Sequence, residues 1–303
     1  MKMKINWVYH NNYDIPLKEN HRFTSTKFSD LFSELKKTYL YENAIIWSPS
    51  KADLSDLSIS HCLSYIKKIK YGLLSYKEER RLGLFWSKRL SERSFLAVNG
   101  TLLTANLALK NGVGCHLGGG THHSHFDYGA GFCVFNDLAY SALMLTKNKI
   151  VKKILIFDCD VHQGDGTARI LEKNDNIFTC SIHCKKNFPV NKAQSNLDVE
   201  LDDHTNNIEY LHEIQKSIKF CVNSFKPDFV FYDAGIDIHK HDELGKLNID
   251  DDGCLERDLI VLNFLKKLSI PVATVIGGGY SKNKKELAIR HSIVFNAANH
   301  VFG

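Results

Sequence analysis

Short apolar stretches alternate along this chain with longer segments in which apolar residues recur at helical spacing. Several of the short stretches are apolar at nearly every position, which is typical of strands that are covered on both faces of a sheet. Seven strands are predicted, at Ile5–Tyr9, Ala44–Trp47, Gly112–Leu117, Lys153–Phe157, Ile177–Ile182, Phe229–Asp233 and Val272–Ile276. Helices are predicted at Leu96–Lys110, Asp137–Leu145, Asp258–Leu268 and Lys284–Asn299. This alternation predicts a mostly parallel sheet with helices on both faces, in a single domain over residues 1–303.

The composition is that of an ordinary globular protein. Hydrophobic residues make up 44% and charged residues 24% of the 303 positions, which excludes a disordered, collagenous or coiled-coil chain. The 39 Lys and Arg against 34 Asp and Glu give a net charge of +5, which is too small to indicate nucleic-acid binding. No apolar run approaches the roughly 18 residues of a membrane-spanning helix.

The cysteines and the N-terminal segment bear on the compartment in which the protein folds. Eight cysteines are present without a C-x-x-C pair, and most lie inside apolar runs such as LIFDCD and IFTCSIH. We therefore expect reduced, mostly buried thiols, and neither a disulfide framework nor a zinc ribbon. The segment MKMKINWVYHNNYD has neither the apolar core nor the cleavage site of a secretory signal. Both features predict a cytoplasmic protein.

Glycine, histidine, aspartate and tyrosine residues directly follow four of the predicted strands. The sequences GGGTHH, DCDVHQGD, DAGID and GGGY come after Leu117, Phe157, Tyr232 and Ile276. In an open parallel sheet, ligands bind beyond the carboxyl ends of the strands. We therefore expect these four segments to meet in one site.

Asp158, Asp160 and His162 are spaced two residues apart. In extended backbone such residues point to one face, where two carboxylates and an imidazole can converge on one cation. Asp160 and His162, completed by Asp237 from a later strand end, would suit a catalytic Zn²⁺, because three protein ligands leave coordination positions open. Fe²⁺ or Mn²⁺ would fit the same ligands. Taken alone, the pattern could also be a solvated acidic turn whose aspartates cap the next helix.

Two further motifs suit acid–base chemistry. His122 and His123 follow three glycines, and two imidazoles in one cleft suit the roles of general base and general acid. Asp158 and Asp165 could orient their rings. Tyr280 follows a second run of three glycines and could donate to a carbonyl oxygen as charge develops on it. The competing interpretations are loop histidines without a role and a phosphate-binding glycine loop, although the phosphate-loop spacings are absent.

Five motifs, GGGTHHS, GAGFCVFND, FDCDVHQGDGT, AGID and GGGY, occur in this order. Together they resemble the histone deacetylase family of zinc amidohydrolases, over nearly the whole chain from VYHNNYDIP to GGGYS. The segments YDIPLKENHRF, RRLGLFWSKRL and NGTLLTANLAL are more similar to class IV enzymes and their bacterial relatives. Gln163 also favours this branch, because class I enzymes usually carry histidine at that position. The resemblance implies the arginase/deacetylase fold, a three-layer α/β/α structure around a mostly parallel eight-stranded sheet.

The resemblance also implies an activity and a role for each site residue. The activity is that of a metal-dependent lysine deacetylase or deacylase, which removes an acetyl or longer acyl group from lysine side chains of a protein or peptide. The implied metal ligands are Asp160, His162 and Asp237. The implied catalytic residues are His122, His123 and Tyr280, with Asp158 and Asp165 as orienting carboxylates. Gly131 and Phe132 would line the acyl-lysine tunnel opposite Phe188, and Asp158, Ser181 and Ile182 match a structural potassium site.

Three features depart from the pattern of the family. Ser124 stands where alanine is more usual, and His204 stands in a segment that normally has glycine at that point. No acidic residue in the region 71–85 matches the carboxylate with which class I enzymes grip the peptide backbone. We therefore expect the rim of the substrate site, and not the chemistry, to differ from the family.

Three alternative functions remain open at this point. An arginase-like dimetal hydrolase on the same fold would need more carboxylates, enough to bridge two metal ions. A non-catalytic acyl-lysine reader would have lost a metal ligand or Tyr280, and neither is lost. An acetylpolyamine or other small-molecule amidohydrolase would differ only in the loops of the rim.

Overall fold

A computed structural model of the protein describes residues 3–18 and 21–303. Glu19 and Asn20, in the segment YDIPLKENHRF, lie outside the described residues. The described residues form one sheet of eight strands, β1 (Ile5–Val8), β2 (Ala44–Trp47), β3 (Val113–His116), β4 (Ile154–Asp158), β5 (Ile177–Cys184), β6 (Leu197–Leu201), β7 (Phe229–Asp233) and β8 (Val272–Val275). The spatial order is β2-β1-β3-β8-β7-β4-β5-β6, and all neighbouring strands run parallel. The predicted eight-stranded sheet is therefore confirmed.

The seven strands predicted from apolar runs are all present, with ends that differ by no more than two residues. The eighth strand, β6, lies outside the predicted set. It is an edge strand that pairs only with β5, and of its five residues only Leu201 is buried. Its sequence LDVEL alternates apolar and polar residues, as expected for a strand with one exposed face. The search for continuous apolar runs therefore passes over it.

Helices cover both faces of this sheet. They are α1 (Lys27–Leu35), α2 (Leu54–Leu57), α3 (Leu63–Tyr71), α4 (Tyr76–Leu82), α5 (Lys88–Asn111), α6 (Asp137–Lys147), α7 (Asp165–Leu171), α8 (Asn207–Phe225), α9 (Asp251–Lys267) and α10 (Lys284–Phe302). The four predicted helices are present, but α5 and α9 begin earlier than predicted. Ser87 caps α5 and Asp250 caps α9, and each accepts a main-chain N–H of the first turn. The polar first turns of both helices hide these true starts from an apolar pattern.

The strands of the sheet centre bury side chains on both faces. In β4, Ile154 and Ile156 belong to one hydrophobic core, and Leu155 and Phe157 belong to the other. On one face the sheet packs against α5 and α7, and residues of α6 share a core with β4. On the other face it packs against α8 and α10, with α1 and α9 alongside. The continuous apolar runs of the sequence thus correspond to a three-layer structure.

The cysteines match the expectation of reduced, mostly buried thiols. All eight cysteines are free, and seven of them are buried. Burial raises the pKa of Cys115 and Cys133 to about 12, so both thiols are protonated and unreactive at neutral pH. Among the described helices, none combines the length and the apolar character that a membrane span requires.

Candidate active site

The four segments that follow β3, β8, β7 and β4 meet at one edge of the sheet. These strands are neighbours at its centre and point the same way, so the loops that follow them converge beyond their carboxyl ends. The loops carry His122 and His123 after β3, Asp160 and His162 after β4, Asp237 after β7, and Tyr280 after β8. The expectation that one site unites the motifs is met by this topology.

Asp160, His162 and Asp237 form a compact cluster whose three potential ligand atoms lie within 4.8 Å of one another. The Nδ1 atom of His162 lies 3.1 Å from Oδ1 of Asp160 and 3.0 Å from Oδ2 of Asp237. Main-chain donors hold the other carboxylate oxygens. The N–H of Gly278 donates to Oδ2 of Asp160 at 2.6 Å, and the N–H of Val161 donates to Oδ1 of Asp237 at 2.9 Å. One oxygen of each carboxylate therefore faces the imidazole.

The charges of this cluster suit a cation. All three side chains are buried. Burial, and then the negative charge of Asp160, raise the pKa of Asp237 to about 6. Burial alone would lower the pKa of His162, but hydrogen bonds to Asp160 and Asp237 outweigh it and raise that pKa to about 10. Two buried carboxylates thus attract positive charge between them, and their donor set with an imidazole fits Zn²⁺, Fe²⁺ or Mn²⁺.

Each of the tandem histidines has its own carboxylate. Nδ1 of His122 donates to Oδ2 of Asp158 at 2.8 Å, and Nδ1 of His123 donates to Oδ1 of Asp165 at 2.7 Å. Because both carboxylates accept from Nδ1, the free nitrogen of each ring is Nε2. The two ring centroids are 4.2 Å apart, and Nε2 of His122 lies 3.8 Å from Oδ1 of Asp160. The pair is thus oriented beside the acidic cluster.

The surroundings drive the pKa values of the two histidines apart. Burial alone would lower the pKa of His122, but the charges of Asp158 and Asp160 raise it well above its ordinary value. Burial, and then the neighbouring His122, lower the pKa of His123 to about 4, against the influence of Asp165. Titratable neighbours whose pKa values diverge in this way are suited to separate acid and base roles.

Tyr280 approaches the cluster from the loop after β8. Its ring centroid lies 6.3 Å from that of His162 and 5.9 Å from that of Phe132. Burial, and then the charge of Asp237, raise the pKa of Tyr280 well above its ordinary value. The hydroxyl is therefore protonated at neutral pH and able to donate a hydrogen bond.

A cavity of about 280 Å³ opens beside these groups. Aromatic rings of Phe132, Phe188 and Tyr280 line it together with the imidazoles of His123 and His162. The ring of Phe188 meets that of His123 edge-on, with centroids 4.8 Å apart. Aromatic walls with convergent polar groups are typical of a ligand site.

Gly131 and Phe132 shape the cavity wall with an unusual backbone. Both have positive φ angles, of 53° and 65°, in the left-handed region that a bulky residue such as phenylalanine rarely adopts. The N–H of Phe132 donates to the carbonyl oxygen of Leu82 at 2.8 Å, which holds this conformation. A Cβ atom at Gly131 would lie 2.5 Å from Cδ2 of His123. The close approach of backbone and imidazole therefore requires glycine.

The residues of the implied potassium site lie next to the His122–Asp158 pair. Asp158 at the end of β4 is in register with Ser181 on β5, and Ile182 follows Ser181. Oδ1 of Asp158 accepts the N–H of Asp160 at 3.0 Å. The three residues are thus neighbours in the sheet, and the potassium site stays a prediction.

His125 and Asp233 belong to the site although no motif assigned them a role. Nε2 of His125 donates to Oδ2 of Asp165 at 3.0 Å, so Asp165 holds two imidazoles. Asp233 is buried at the end of β7 and forms a second compact cluster with His122 and Asp158. Among the described residues, neither of its carboxylate oxygens has a hydrogen-bond partner. Both residues stand beside predicted motifs, and this adjacency is the only signal that could have identified them.

Asp242 supports the loop that carries Tyr280. Its Oδ2 accepts the N–H of Tyr280 at 2.7 Å, and its Oδ1 accepts the N–H groups of Leu244 and Gly245 at 2.8 and 2.9 Å. No spacing rule connects Asp242 with a tyrosine so far along the chain, so the sequence offers no signal for this contact.

Gln163 and two of the departures from the family pattern, His204 and Ser124, fit their local surroundings. The side-chain amide of Gln163 donates to the carbonyl oxygen of Ala193 at 2.9 Å and to Oδ1 of Asp198 at 2.8 Å, and so anchors a neighbouring loop. His204 has a φ of 66°, in the region that favours glycine. Ser124 donates to the carbonyl oxygen of Val134 at 2.7 Å.

Comparison with known proteins agrees with this geometry. Residues 21–294 match the family described as the histone deacetylase domain. The chain is 41% identical to an uncharacterized protein of Picosynechococcus sp., over 97% of this chain and 98% of that protein. It is 29% identical to histone deacetylase 2 of Arabidopsis thaliana, over 92% of this chain and 76% of that protein. It is 32% identical to acetoin utilization protein AcuC of Staphylococcus aureus, over 70% of this chain and 61% of that protein.

The fold agrees as well. The crystal structure of the HDA15 HD domain matches with a TM-score of 0.80 and 18% sequence identity, over 98% of this chain and 89% of that one. This match confirms the predicted three-layer arginase/deacetylase-like fold. The assignment to class IV stays a prediction. The family match over most of the chain, joined to the fold, shows that this protein belongs to the histone deacetylase family of deacetylase-type hydrolases.

Proposed function

We propose that this protein is a metal-dependent lysine deacylase that removes an acetyl or longer acyl group from lysine side chains. One observation carries the proposal: two histidines, each oriented by its own carboxylate, stand beside a buried Asp–His–Asp cluster. This arrangement provides an acid, a base and a cation site next to a cavity with aromatic walls.

Asp160, His162 and Asp237 would hold one divalent ion, with Zn²⁺ as the first choice and Fe²⁺ or Mn²⁺ as alternatives. When bound, such an ion polarises a carbonyl group and lowers the pKa of a water molecule. Asp158, Ser181 and Ile182 would hold a structural potassium ion. The first assignment rests on the ligand atoms that its three residues bring together, and the second rests on the register of Asp158 with Ser181 and on the resemblance to the family.

The two histidines would have different roles in the reaction. His123, with its lowered pKa, is neutral at pH 7 and would remove a proton from the attacking water through Nε2. The same nitrogen would then return the proton to the departing lysine amine. His122 holds a proton between Asp158 and Asp160 and would stabilise the negative charge that develops. Tyr280 would donate its hydroxyl hydrogen to the acyl oxygen.

The shape of the cavity supports an acylated lysine as the substrate. Phe132 and Phe188 line the passage to His123 and His162, and the four methylenes of a lysine side chain would pass between them. An acetylpolyamine has a similar alkyl chain, so a small-molecule amidohydrolase is the alternative. We also propose that residues 1–303 form a single catalytic domain, and that its eight free thiols reflect a cytoplasmic protein.

One observation favours a second candidate function. His122, Asp158 and Asp233 form a second buried cluster with ligand atoms within 4.8 Å of one another, which an arginase-like dimetal hydrolase would use for a second ion. In the deacylase proposal the same imidazole and carboxylate form a hydrogen-bonded pair, and Asp233 is not a ligand. The number of bound ions separates the two candidates.

The proposed activity is tested with matched lysine peptides. Peptides of one sequence bearing ε-acetyl or ε-fatty-acyl groups are compared with acetylputrescine and with arginine, at equal enzyme and metal concentrations. We expect hydrolysis of at least one acyl-lysine peptide, with kcat/KM about tenfold or more above that for acetylputrescine. Turnover of acetylputrescine alone would favour the small-molecule amidohydrolase, and turnover of arginine alone would favour the dimetal hydrolase.

The pH dependence of kcat/KM tests the role of His123. Because a base must be unprotonated, activity is expected to fall as the pH drops through the pKa of His123, which lies below its ordinary value. His125→Phe keeps an aromatic ring against Tyr128 but removes the N–H that donates to Asp165. The carboxylate of Asp165 then stabilises protonated His123 more strongly, which raises the pKa of His123. We therefore expect the acid limb of the pH profile to move to higher pH. We also expect kcat to fall about tenfold, which is the effect of one charge-assisted hydrogen bond.

His125→Gln is the matched control, because its amide can restore the donor to Asp165. It should return the acid limb towards the wild-type position. An acid limb that stays in place in His125→Phe would separate His125 and Asp165 from the titration of His123.

A further inference from the structure

Four cationic side chains surround the mouth of the acyl-lysine cavity. Arg22, Lys186 and Lys246 line the cavity of about 280 Å³, and Arg22 and Arg81 line an adjoining cavity of about 470 Å³. Both cavities share Arg22 and the three residues of the predicted tunnel, so they form one continuous cleft. We name Arg22, Arg81, Lys186 and Lys246 the basic rim.

The charge of the basic rim is only partly balanced by nearby acids. Among the described residues that line the two cavities, none is an aspartate or a glutamate. Lys186 pairs with Asp203 at 3.5 Å, outside the cavities. The guanidinium of Arg81 lies over the ring of Tyr128, 4.2 Å from its centroid. The mouth of the cleft therefore has a positive potential that an anionic ligand would neutralise.

The acidic residues of α4 line neither cavity, and both have partners elsewhere. Glu78 pairs with Lys68 at 2.6 Å and completes the cap of the helix. Glu79 accepts the main-chain N–H of Trp86 at 2.7 Å. The region 71–85, in which the sequence shows no carboxylate for the peptide backbone, instead contributes Arg81 to the rim.

We infer that the basic rim selects acyl-lysines that are flanked by aspartate or glutamate in the substrate protein, an inference that rests on the proposed deacylase function. An acylated lysine is itself neutral, so the charge that the rim recognises must come from neighbouring residues of the substrate. Lysine-rich and arginine-rich peptides, and cationic acetylpolyamines, meet repulsion at the same place. Exposed Phe188 and Val190 beside the rim provide apolar contacts for a peptide.

A peptide fits these observations better than a nucleic acid. The four charges surround the mouth of one narrow cavity, and they do not form the stripe along a face that follows a phosphate backbone. The overall charge of +5 is also modest. The basic rim thus acts where the acyl-lysine enters, and selects among substrates by the sequence around the modified residue.

The test compares three acetyl-lysine peptides that differ only in the flanking residues, which are glutamate, glutamine or lysine. Their Kd values are measured by fluorescence anisotropy with the metal-loaded Tyr280→Phe protein, so that turnover does not disturb the measurement. We expect the glutamate peptide to bind about tenfold more tightly than the glutamine peptide, and the lysine peptide to bind most weakly. The differences should shrink at high salt, because the Debye length falls from about 10 Å at 0.1 M to about 3 Å at 1 M.

A pair of charge-reversal variants locates the effect. Arg22→Glu combined with Lys246→Glu should reverse the order of the glutamate and lysine peptides. Lys152→Glu combined with Lys173→Glu makes the same change of charge at exposed residues that precede β4 and β5, at the opposite edge of the sheet. This control should leave the order unchanged. Circular dichroism establishes that both double variants are folded.

The outcomes separate the inference from the function on which it rests. Equal Kd values for the three peptides, or an order that Arg22→Glu with Lys246→Glu does not change, would overturn the inference. So would a short single-stranded RNA that binds more tightly than the glutamate peptide and displaces it. If the wild-type protein binds the glutamate peptide preferentially but hydrolyses none of the three, the selection by the basic rim stands and the deacylase function fails.

Discussion

Asp237→Asn is expected to lose the bound metal ion and the activity together. Of the three proposed ligands, Asp237 contributes Oδ2 towards His162, while its Oδ1 accepts the N–H of Val161. Asparagine keeps an acceptor for that main-chain donor but removes the negative charge that a divalent cation requires. Because such an ion stabilises the reaction by several kcal/mol, we expect kcat to fall about 10³-fold or more.

Asp237→Asn is also expected to change the pH dependence of stability, which can be measured without turnover. Burial and the charge of Asp160 raise the pKa of Asp237 to about 6, above its unfolded value. At Asp237, the folded, metal-free wild type therefore binds more protons than the unfolded chain between about pH 4 and 6, so the contribution of this residue to stability falls as the pH rises through this range. Metal-free Asp237→Asn lacks this loss. Added Zn²⁺ should raise the Tm of the wild type at pH 7 and leave that of the variant unchanged.

Asp233→Asn is the matched control for this experiment. It removes a carboxylate that is also buried, but that belongs to the second cluster with His122 and Asp158. Metal analysis of the purified proteins should find one divalent ion per chain in the wild type and in Asp233→Asn, and none in Asp237→Asn. Two ions in the wild type, with one lost in Asp233→Asn, would replace the deacylase proposal with the dimetal hydrolase.

The centre of the fold could be predicted because its strands are buried on both faces. β4 and β7 have apolar residues at almost every position, since two cores demand them. The edge strand β6 faces solvent in part and carries Asp198 and Glu200 between its apolar residues. Helices α5 and α9 likewise begin with exposed charged residues, Lys88 in α5 and Asp251 and Asp252 in α9. Elements are thus hard to find in the sequence where burial does not constrain each residue.

The candidate site likewise has one part that the sequence predicts and one part that it does not. Its chemical groups follow strand ends, where the parallel sheet brings distant motifs together, so Asp160, His162 and Asp237 could be grouped from the sequence alone. The basic rim comes instead from loops and a helix end at positions 22, 81, 186 and 246. No periodicity or sheet order relates these positions to one another. Substrate selection therefore becomes visible only in three dimensions.

Tyr280→Phe is expected to lower kcat by about 10²–10³, or roughly 2.7–4 kcal/mol, while the ring and its packing are kept. Attack of water on the acyl carbonyl moves negative charge onto the carbonyl oxygen. Burial and the charge of Asp237 keep the hydroxyl of Tyr280 protonated, so it can donate a hydrogen bond as that charge develops. Because the oxygen carries its full charge only in the transition state, KM should change much less than kcat.

A second tyrosine, which lies beside Arg81 of the basic rim, provides the control for this last experiment. Tyr128 lies outside the cluster, where its ring stacks on His125 and faces Arg81, so Tyr128→Phe removes a hydroxyl without removing a donor from the reacting carbonyl. Steady-state kinetics of both variants on one acetyl-lysine peptide should therefore separate them by about two orders of magnitude in kcat. A wild-type kcat in Tyr280→Phe would contradict the role of this hydroxyl and would favour a mechanism in which metal ions alone stabilise the developing charge.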